Sequence, residues 1–279
     1  VTAVWGWTFV EVGAAVAVYG VMGFLAIRFA IAAVAAGISW GRRMSLPTLY
    51  VGGAIGALLA AGYLLQTWGL KFTTATNAGL ITGLFVVLAP IADRLLYGTK
   101  LQRSAWIAVG ISLVGMTLLT GRLPTQLALG DFLVFGCALA FGAHIAVLSH
   151  HSSDHDPRAL ATAQMFGLAA LFLILWPLTE RVEAPPREVW FALGLTGLVA
   201  STLAYAIQTA AQRVLSAVRT AVILTLEPVF AGFFGFVLAG ERLTASQFLG
   251  AALIFGSVLL SEFTPVFLRL SANSTKSEP

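Results

Sequence analysis

Five uncharged, strongly apolar stretches, 44–70, 72–92, 104–121, 159–179 and 189–212, dominate this chain. Each can cross a bilayer as a helix, which takes roughly 20 apolar residues. Inside lipid the backbone must satisfy its own hydrogen bonds, and only helices and closed barrels do so. A barrel would show alternating strands of about ten residues rather than uniformly apolar runs. Charged residues make up only 10% of the chain and the mean hydropathy is +0.90, whereas a soluble domain carries about 25% charged residues. The chain reads as an all-α polytopic membrane protein.

Turn and charge signals near 19–20, 41–43, Lys71, 97–100, 121–124, 150–158, 180–188, 213–216 and 240–242 divide it into about ten transmembrane helices with short connections. No soluble domain is expected between them. Lys and Arg are retained on the cytoplasmic side of a membrane. With the N-terminus inside, the cytoplasmic loops hold Arg42, Arg43, Arg94, Lys100, Arg103, Arg158, Arg213, Arg219, Arg269 and Lys276, against Lys71, Arg122, Arg181, Arg187 and Arg242 outside. Both termini are therefore expected in the cytoplasm, with a bacterial inner membrane as the site. The pI near 9.6 follows from the same bias and implies no nucleic-acid partner. Cys137 is the only cysteine, so no disulfide framework exists.

An internal repeat organises the spans. Tyr63, Gln66 and Thr67 recur as Tyr205, Gln208 and Thr209, an offset of 142 residues at which Lys71 also meets Arg213, Ile81 meets Ile223 and Gly98 meets Gly240. Nearer the N-terminus the offset is 136, pairing Trp5-Gly6 with Phe141-Gly142 and Trp40 with Trp176. Two halves of five spans follow, and because five is odd the second must thread the membrane upside down. The first repeat is placed at 1–121, a linker at 122–128, the second repeat at 129–264 and a polar tail, expected to be disordered, at 265–279.

Trp5 to Phe9, Arg28-Phe29, Leu226-Glu227-Pro228-Val229, Ala239 to Leu243 and Gly250 to Ile254 resemble the EamA repeats of the drug/metabolite transporter superfamily. The first copy departs from the pattern, with Phe85-Val86 in place of the Glu-Pro pair and Pro90 a turn later. The resemblance implies ten helices around a central cavity that alternates between inward and outward access, and export of small metabolites. Within the superfamily the YddG-like exporters of aromatic and other amino acids are the preferred comparison, because the candidate cavity residues are aromatic and amide-rich.

The same cavity follows from the cost of polar groups at membrane depth, which makes them face a protein interior. Tyr63 and Gln66 share one face of the third span, and Tyr205 and Gln208 repeat that face in the eighth. Trp5 and Thr8 on the first span, Asn77 on the fourth and His144, which aligns with Thr8, complete the expected substrate-binding set. Alternatively these groups only tie helices together. Glu11 shares the Trp5–Thr8 stripe, and it and Arg28, the only charges of the first two spans, are expected either to neutralise each other or to serve coupling. Pro228 removes an amide donor and clashes with the carbonyl of Leu224, so a kink is expected there. Glu227 beside it is a candidate to carry a proton and release it when the cavity opens, or else to bond backbone freed at the kink.

His150, His151, Asp154, His155 and Asp156 look like a metal cluster, yet they fall in a short loop ending at Pro157 and no metal or other cofactor is expected. No phosphate-binding glycine loop or serine nucleophile elbow occurs. The expected function is secondary export of small amphiphilic metabolites, foremost amino acids with aromatic or large apolar side chains; the expected partners are that small-molecule substrate and the lipid bilayer. A multidrug or nucleotide-sugar transporter of the same architecture is the alternative, and an intramembrane enzyme acting on lipids a more distant one.

Overall fold

The computed structural model describes residues 1–69, 71–72, 81–100, 103–120, 129–239 and 244–274. Among these residues run ten helical units: α1 (Thr2–Val18), α2 (Val21–Trp40), α3 (Leu46–Gly69), α4 (Phe85–Tyr97), α5 (Arg103–Thr120), α6 (Leu129–His151), α7 (Pro157–Thr179), α8 (Val189–Gln212), a broken α9 (Ala217–Leu224 and Leu226–Ala239) and α10 (Ala245–Ser274). Five stretches, among them Leu46–Gly69 and Pro157–Thr179, are each long and apolar enough to span a membrane, and shorter apolar helices accompany them. The last helix continues through Ser274, so the segment expected to be disordered is helical to that point.

The packing repeats under exchange of the two halves. α4 lies against α6 as α9 lies against α1, and α3 lies against α7 as α8 lies against α2. The pairs α2–α7, α4–α9 and α5–α10 are their own counterparts, as an inverted repeat about a two-fold axis requires. The chain is thus a bundle of two inverted five-helix halves.

Small residues set the close crossings. A Cβ at Gly52 would collide with the Ala163 side chain, and one at Gly56 would sit 2.8 Å from the Gln164 carbonyl oxygen. These two glycines, one helical turn apart, let α3 approach the backbone of α7. At the α5–α10 crossing a Cβ on Gly115 would come within 2.8 Å of the Gly250 carbonyl, and Ser112 and Ser257 share a hydrogen bond of 2.7 Å.

Both halves also break one helix at the same place. α9 is interrupted at Thr225, whose amide reaches back three residues to Val222. Its counterpart, Gly83, lies in the turn preceding α4, where Val86 and Val87 likewise bond three residues back. Pro228 accounts for the missing bond to Leu224 in α9, but Val86 occupies its place in the first half, so the break belongs to the architecture and the proline reinforces it. A third irregularity is the π-helical stretch Leu195–Leu203 within α8, a form found frequently at functional sites. At the start of α7, Asp156 caps the helix by accepting from the amides of Arg158 and Ala159 at 3.0 Å.

Gly56→Ala should lower the stability of the detergent-solubilised protein by about 1–3 kcal/mol, the usual cost of forcing a methyl into a packed contact. Gly53→Ala, whose Cβ would meet nothing within 4 Å, should be neutral or raise it by about 0.5–1 kcal/mol, the helix preference of alanine over glycine. Melting temperatures of the two variants check this opposition of sign.

Candidate functional site

Tyr63 on α3 and Tyr205 on α8, equivalent positions 142 residues apart, touch directly: their hydroxyls lie 2.8 Å from one another and both side chains are buried. Equivalent atoms of two inverted halves can meet only at the axis relating them, so this bond marks the pseudo-two-fold. A cavity of about 90 Å³ opens beside it. Two apolar clusters flank it, one around Phe24, Phe29 and Phe172 and the other around Phe85, Val222 and Ile254, and Trp5 and Phe141 pack against both.

The cavity wall obeys the repeat. Trp5 faces it with its counterpart Phe141, Thr8 with His144, Gln66 with Gln208, Thr82 with Leu224 and Phe85 with Glu227. The substitutions within these pairs are not neutral in chemistry. Glu227 stands opposite phenylalanine and His144 opposite threonine, while Arg28, also on the wall, has as its counterpart Gln164, which lies behind it. The two halves have therefore placed one basic and one acidic side chain on a pocket whose frame is symmetric.

Each polar group is held in a distinct way. The π-helical stretch of α8 presents Ala200, Ser201 and Thr202 to the first half: the Trp5 indole donates to the Ala200 carbonyl at 2.7 Å, Arg28 Nε to Ser201 Oγ at 3.1 Å and Thr202 Oγ1 to the Ala32 carbonyl at 3.2 Å. Gly197 permits the approach, since a Cβ there would lie 3.0 Å from the Arg28 carbonyl. Arg28, only 4% exposed, also donates through Nη2 to the Tyr63 hydroxyl at 3.2 Å and lies 4.7 Å from the centre of the Tyr63 ring, a cation–π contact. Hydroxyl partners leave its charge without a carboxylate. The His144 Nε2 meets Gln164 Oε1 at 2.8 Å, and its ring stands edge-on to Tyr205 at 6.1 Å. Gln66 donates to Thr82 Oγ1 at 3.2 Å.

Of the residues singled out from sequence, Trp5, Thr8, Arg28, Tyr63, Gln66, His144, Tyr205, Gln208 and Glu227 line one cavity. Asn77 lies outside the described residues. Glu11 is not on the wall and forms no ion pair with Arg28 among the described residues. The expected Glu11–Arg28 neutralisation is therefore corrected. From Trp5 and Thr8 the inward stripe of α1 continues to Val12, four residues on, and Glu11 rotates off it, while Arg28 is drawn toward α3 and α8. Pro228 sits beside the wall on α9 and supplies no lining group. Trp7 turns away, toward Phe191 and Phe234 at 6.3 and 6.1 Å.

Thr82, Phe85, Phe141 and Leu224 also line the cavity and were not among the sequence candidates. Phe85 and Phe141 are the repeat-mates of Glu227 and Trp5, so the two offsets find them, whereas Thr82 and Leu224 are mates only of each other and carry no such signal. Of the histidines expected in a loop, His150 and His151 instead end α6; His150 Nε2 meets the buried Asp93 carboxylate at 2.7 Å and its ring stacks on Tyr97, and His155 Nδ1 meets Thr48 Oγ1 at 3.0 Å. No group of three or more His, Cys, Asp or Glu side chains suited to a metal occurs among the described residues.

Removing the hydroxyl of Tyr63 should cost more stability than removing that of Tyr205, because the former also accepts from Arg28. About 1–3 kcal/mol is expected for Tyr63→Phe and about 1 kcal/mol for Tyr205→Phe. The double variant should fall short of the sum by about 0.5–1.5 kcal/mol, the coupling of a contacting pair, measured by chemical denaturation in detergent.

Similarity to known proteins agrees with this architecture. The EamA-like transporter family matches residues 1–121 and 128–263. An uncharacterized transporter of Archaeoglobus fulgidus is 38% identical over 210 residues, which are 74% of this chain and 66%, just under two thirds, of that protein. The threonine/homoserine exporter RhtA of Escherichia coli (strain K12) is 26% identical over 235 residues, 81% of this chain and 74% of the exporter. A solved crystal structure superposes with a TM-score of 0.77 over 96% of both chains at 19% identity, a likeness of fold. With family matches over both halves and two inverted five-helix bundles around a shared cavity, this multi-pass membrane protein belongs to the EamA-like transporter family.

Proposed function

We propose that this protein exports small amino acids from the cytoplasm of a bacterial cell, binding them as zwitterions in the cavity on the repeat axis. The observation that carries the reading is the pair of opposite ionisable side chains on one small wall: Arg28 and Glu227 both line the cavity, and neither has an ion-pair partner among the described residues. A buried charge is costly unless paired. An amino acid supplies both missing partners in one molecule, a carboxylate for the guanidinium fork of Arg28 and an ammonium for the carboxylate of Glu227.

Size argues for a small side chain rather than the aromatic or large apolar one expected from sequence. The aromatic residues of the cavity pack against each other, Tyr63 edge-on to Phe141 at 5.5 Å and Trp5 tilted on Tyr205 at 5.3 Å. What remains is about 90 Å³, well below the roughly 300–1,000 Å³ of sites for drug-sized ligands. A threonine-like substrate, as the name of the E. coli relative states for that protein, suits this space. A nucleotide sugar does not, since it is larger and Arg28 is the only arginine or lysine among the described lining residues to meet its phosphates. Alternation of access would come from the broken helices α4 and α9, which cross at the axis. With the loop charges, the reading puts both termini in the cytoplasm. Glu227 is also the candidate for proton coupling.

Purified protein in proteoliposomes should exchange radiolabelled L-threonine against internal L-threonine. Arg28→Gln and Glu227→Gln should each reduce exchange at least tenfold, as truncating one partner of a buried charged pair does, and Arg28→Lys should recover only part because it loses the planar fork. Absence of counterflow for any small amino acid in the wild type would contradict the reading. Uphill transport of threonine driven by a proton gradient, if abolished in Glu227→Gln while exchange at high substrate persists, assigns coupling to that residue; unchanged proton dependence removes it.

A further inference from the structure

Among the buried polar atoms of the cavity wall, the side-chain oxygen of Gln208 is unusual. Gln208 is 5% exposed, and its Oε1 accepts no hydrogen bond from the described residues. Leaving a buried acceptor unmade costs about 1–3 kcal/mol, so a fold retaining one at a binding cavity has a use for it. The orientation of this amide is set from a distance. Gln212, one turn further along α8, has an amide nitrogen 2.9 Å from the Ile145 carbonyl and 2.7 Å from Ser149 Oγ. A backbone carbonyl can only accept, so the nitrogen of Gln212 must face α6 and its oxygen must face Gln208. That oxygen can only accept as well, and Gln208 therefore turns its own nitrogen toward it, at 2.9 Å. The remaining end of the Gln208 amide is its oxygen. A side chain that could present either a donor or an acceptor is fixed as an acceptor by a chain of bonds beginning at the backbone of α6.

The repeat-mate Gln66 lacks this device. Its nitrogen is engaged by the Thr82 hydroxyl, a partner able to donate or accept, and the position equivalent to Gln212 in the first half is Leu70. The oriented acceptor is a property of the second half alone, the half that also contributes Glu227.

We propose that Gln208 Oε1 receives the α-ammonium of the substrate and that Gln212, which does not line the cavity, is the positioning residue that holds it in that sense. The assignment rests on the amino-acid reading above and specifies it: the ammonium end lies toward Gln208 and Glu227, and the carboxylate end toward Arg28. A substrate hydroxyl is the other donor that could satisfy the same oxygen, and the test separates the two.

Binding to the purified full-length protein is measured by competition against radiolabelled L-threonine with three probes: L-threonine, L-2-aminobutyrate, which lacks the hydroxyl, and 3-hydroxybutyrate, which lacks the amine. Wild type should bind 3-hydroxybutyrate at least 30-fold more weakly than threonine and 2-aminobutyrate within about fivefold of it. Gln208→Leu and Gln208→Met, the second preserving shape should the first not fold, should shrink the amine preference at least fivefold while leaving the hydroxyl preference unchanged. Gln212→Leu, which frees the amide to turn over, should shrink the same ratio in the same direction, an effect that loss of packing alone would not direct at one functional group. Retained amine preference in both Gln208 variants overturns the assignment, as does a change confined to the hydroxyl preference. Failure of wild type to bind threonine or 2-aminobutyrate at all overturns the amino-acid reading itself.

Discussion

The hydrogen bond between Tyr63 and Tyr205 is the point on which the structure turns. In an apolar bundle a phenol hydroxyl must find a partner, and here each tyrosine finds its own counterpart from the other half. That contact draws α3 and α8 together at the repeat axis. It also supplies the acceptor that Arg28 needs at membrane depth. The cavity exists because four large rings, those of Trp5, Phe141, Tyr63 and Tyr205, are gathered at this axis and cannot close-pack around it completely.

Symmetry provides the frame and its violation provides the chemistry. A strictly duplicated site would present two copies of every group, poorly matched to the proposed ligand, whose two ends carry opposite charge. In this protein Arg28 stands where the second half has Gln164, Glu227 where the first half has Phe85, and Gln208 has an orienting neighbour where Gln66 has none. The π-helical stretch of α8 serves the same asymmetry by presenting its Ala200 carbonyl and the Ser201 hydroxyl to α1 and α2, whereas the equivalent stretch of α3 carries Leu58 and Leu59.

The sequence made the inverted halves and half of this wall legible, because a repeat offset is information about three dimensions. Once Tyr63-Gln66 aligned with Tyr205-Gln208, threading two odd-numbered halves oppositely brought those residues to one depth. Periodicity alone misplaced Glu11: it shares a helical stripe with Trp5 and Thr8, but a stripe broadens over three turns and the packing of α1 on α9 decides which edge turns inward. For Arg28 the sequence left pairing with Glu11 or a coupling role open, and its geometry is governed by hydroxyls 35 and 173 residues away. The size of the substrate could not be read from the sequence for a related reason. Aromatic residues at a site can shield a ligand or fill the space themselves, and composition does not distinguish these uses. The direction of the Gln208 amide could not be read at all, since it depends on a hydrogen-bond chain that crosses from α8 to α6.

The most direct measurement is a high-resolution structure of the protein with L-threonine bound. The account predicts one molecule at the repeat axis, its carboxylate within hydrogen-bond distance of the Arg28 guanidinium and its ammonium between Glu227 and Gln208 Oε1. Threonine bound in the reverse orientation, or bound away from the axis with Arg28 and Glu227 untouched, would contradict it.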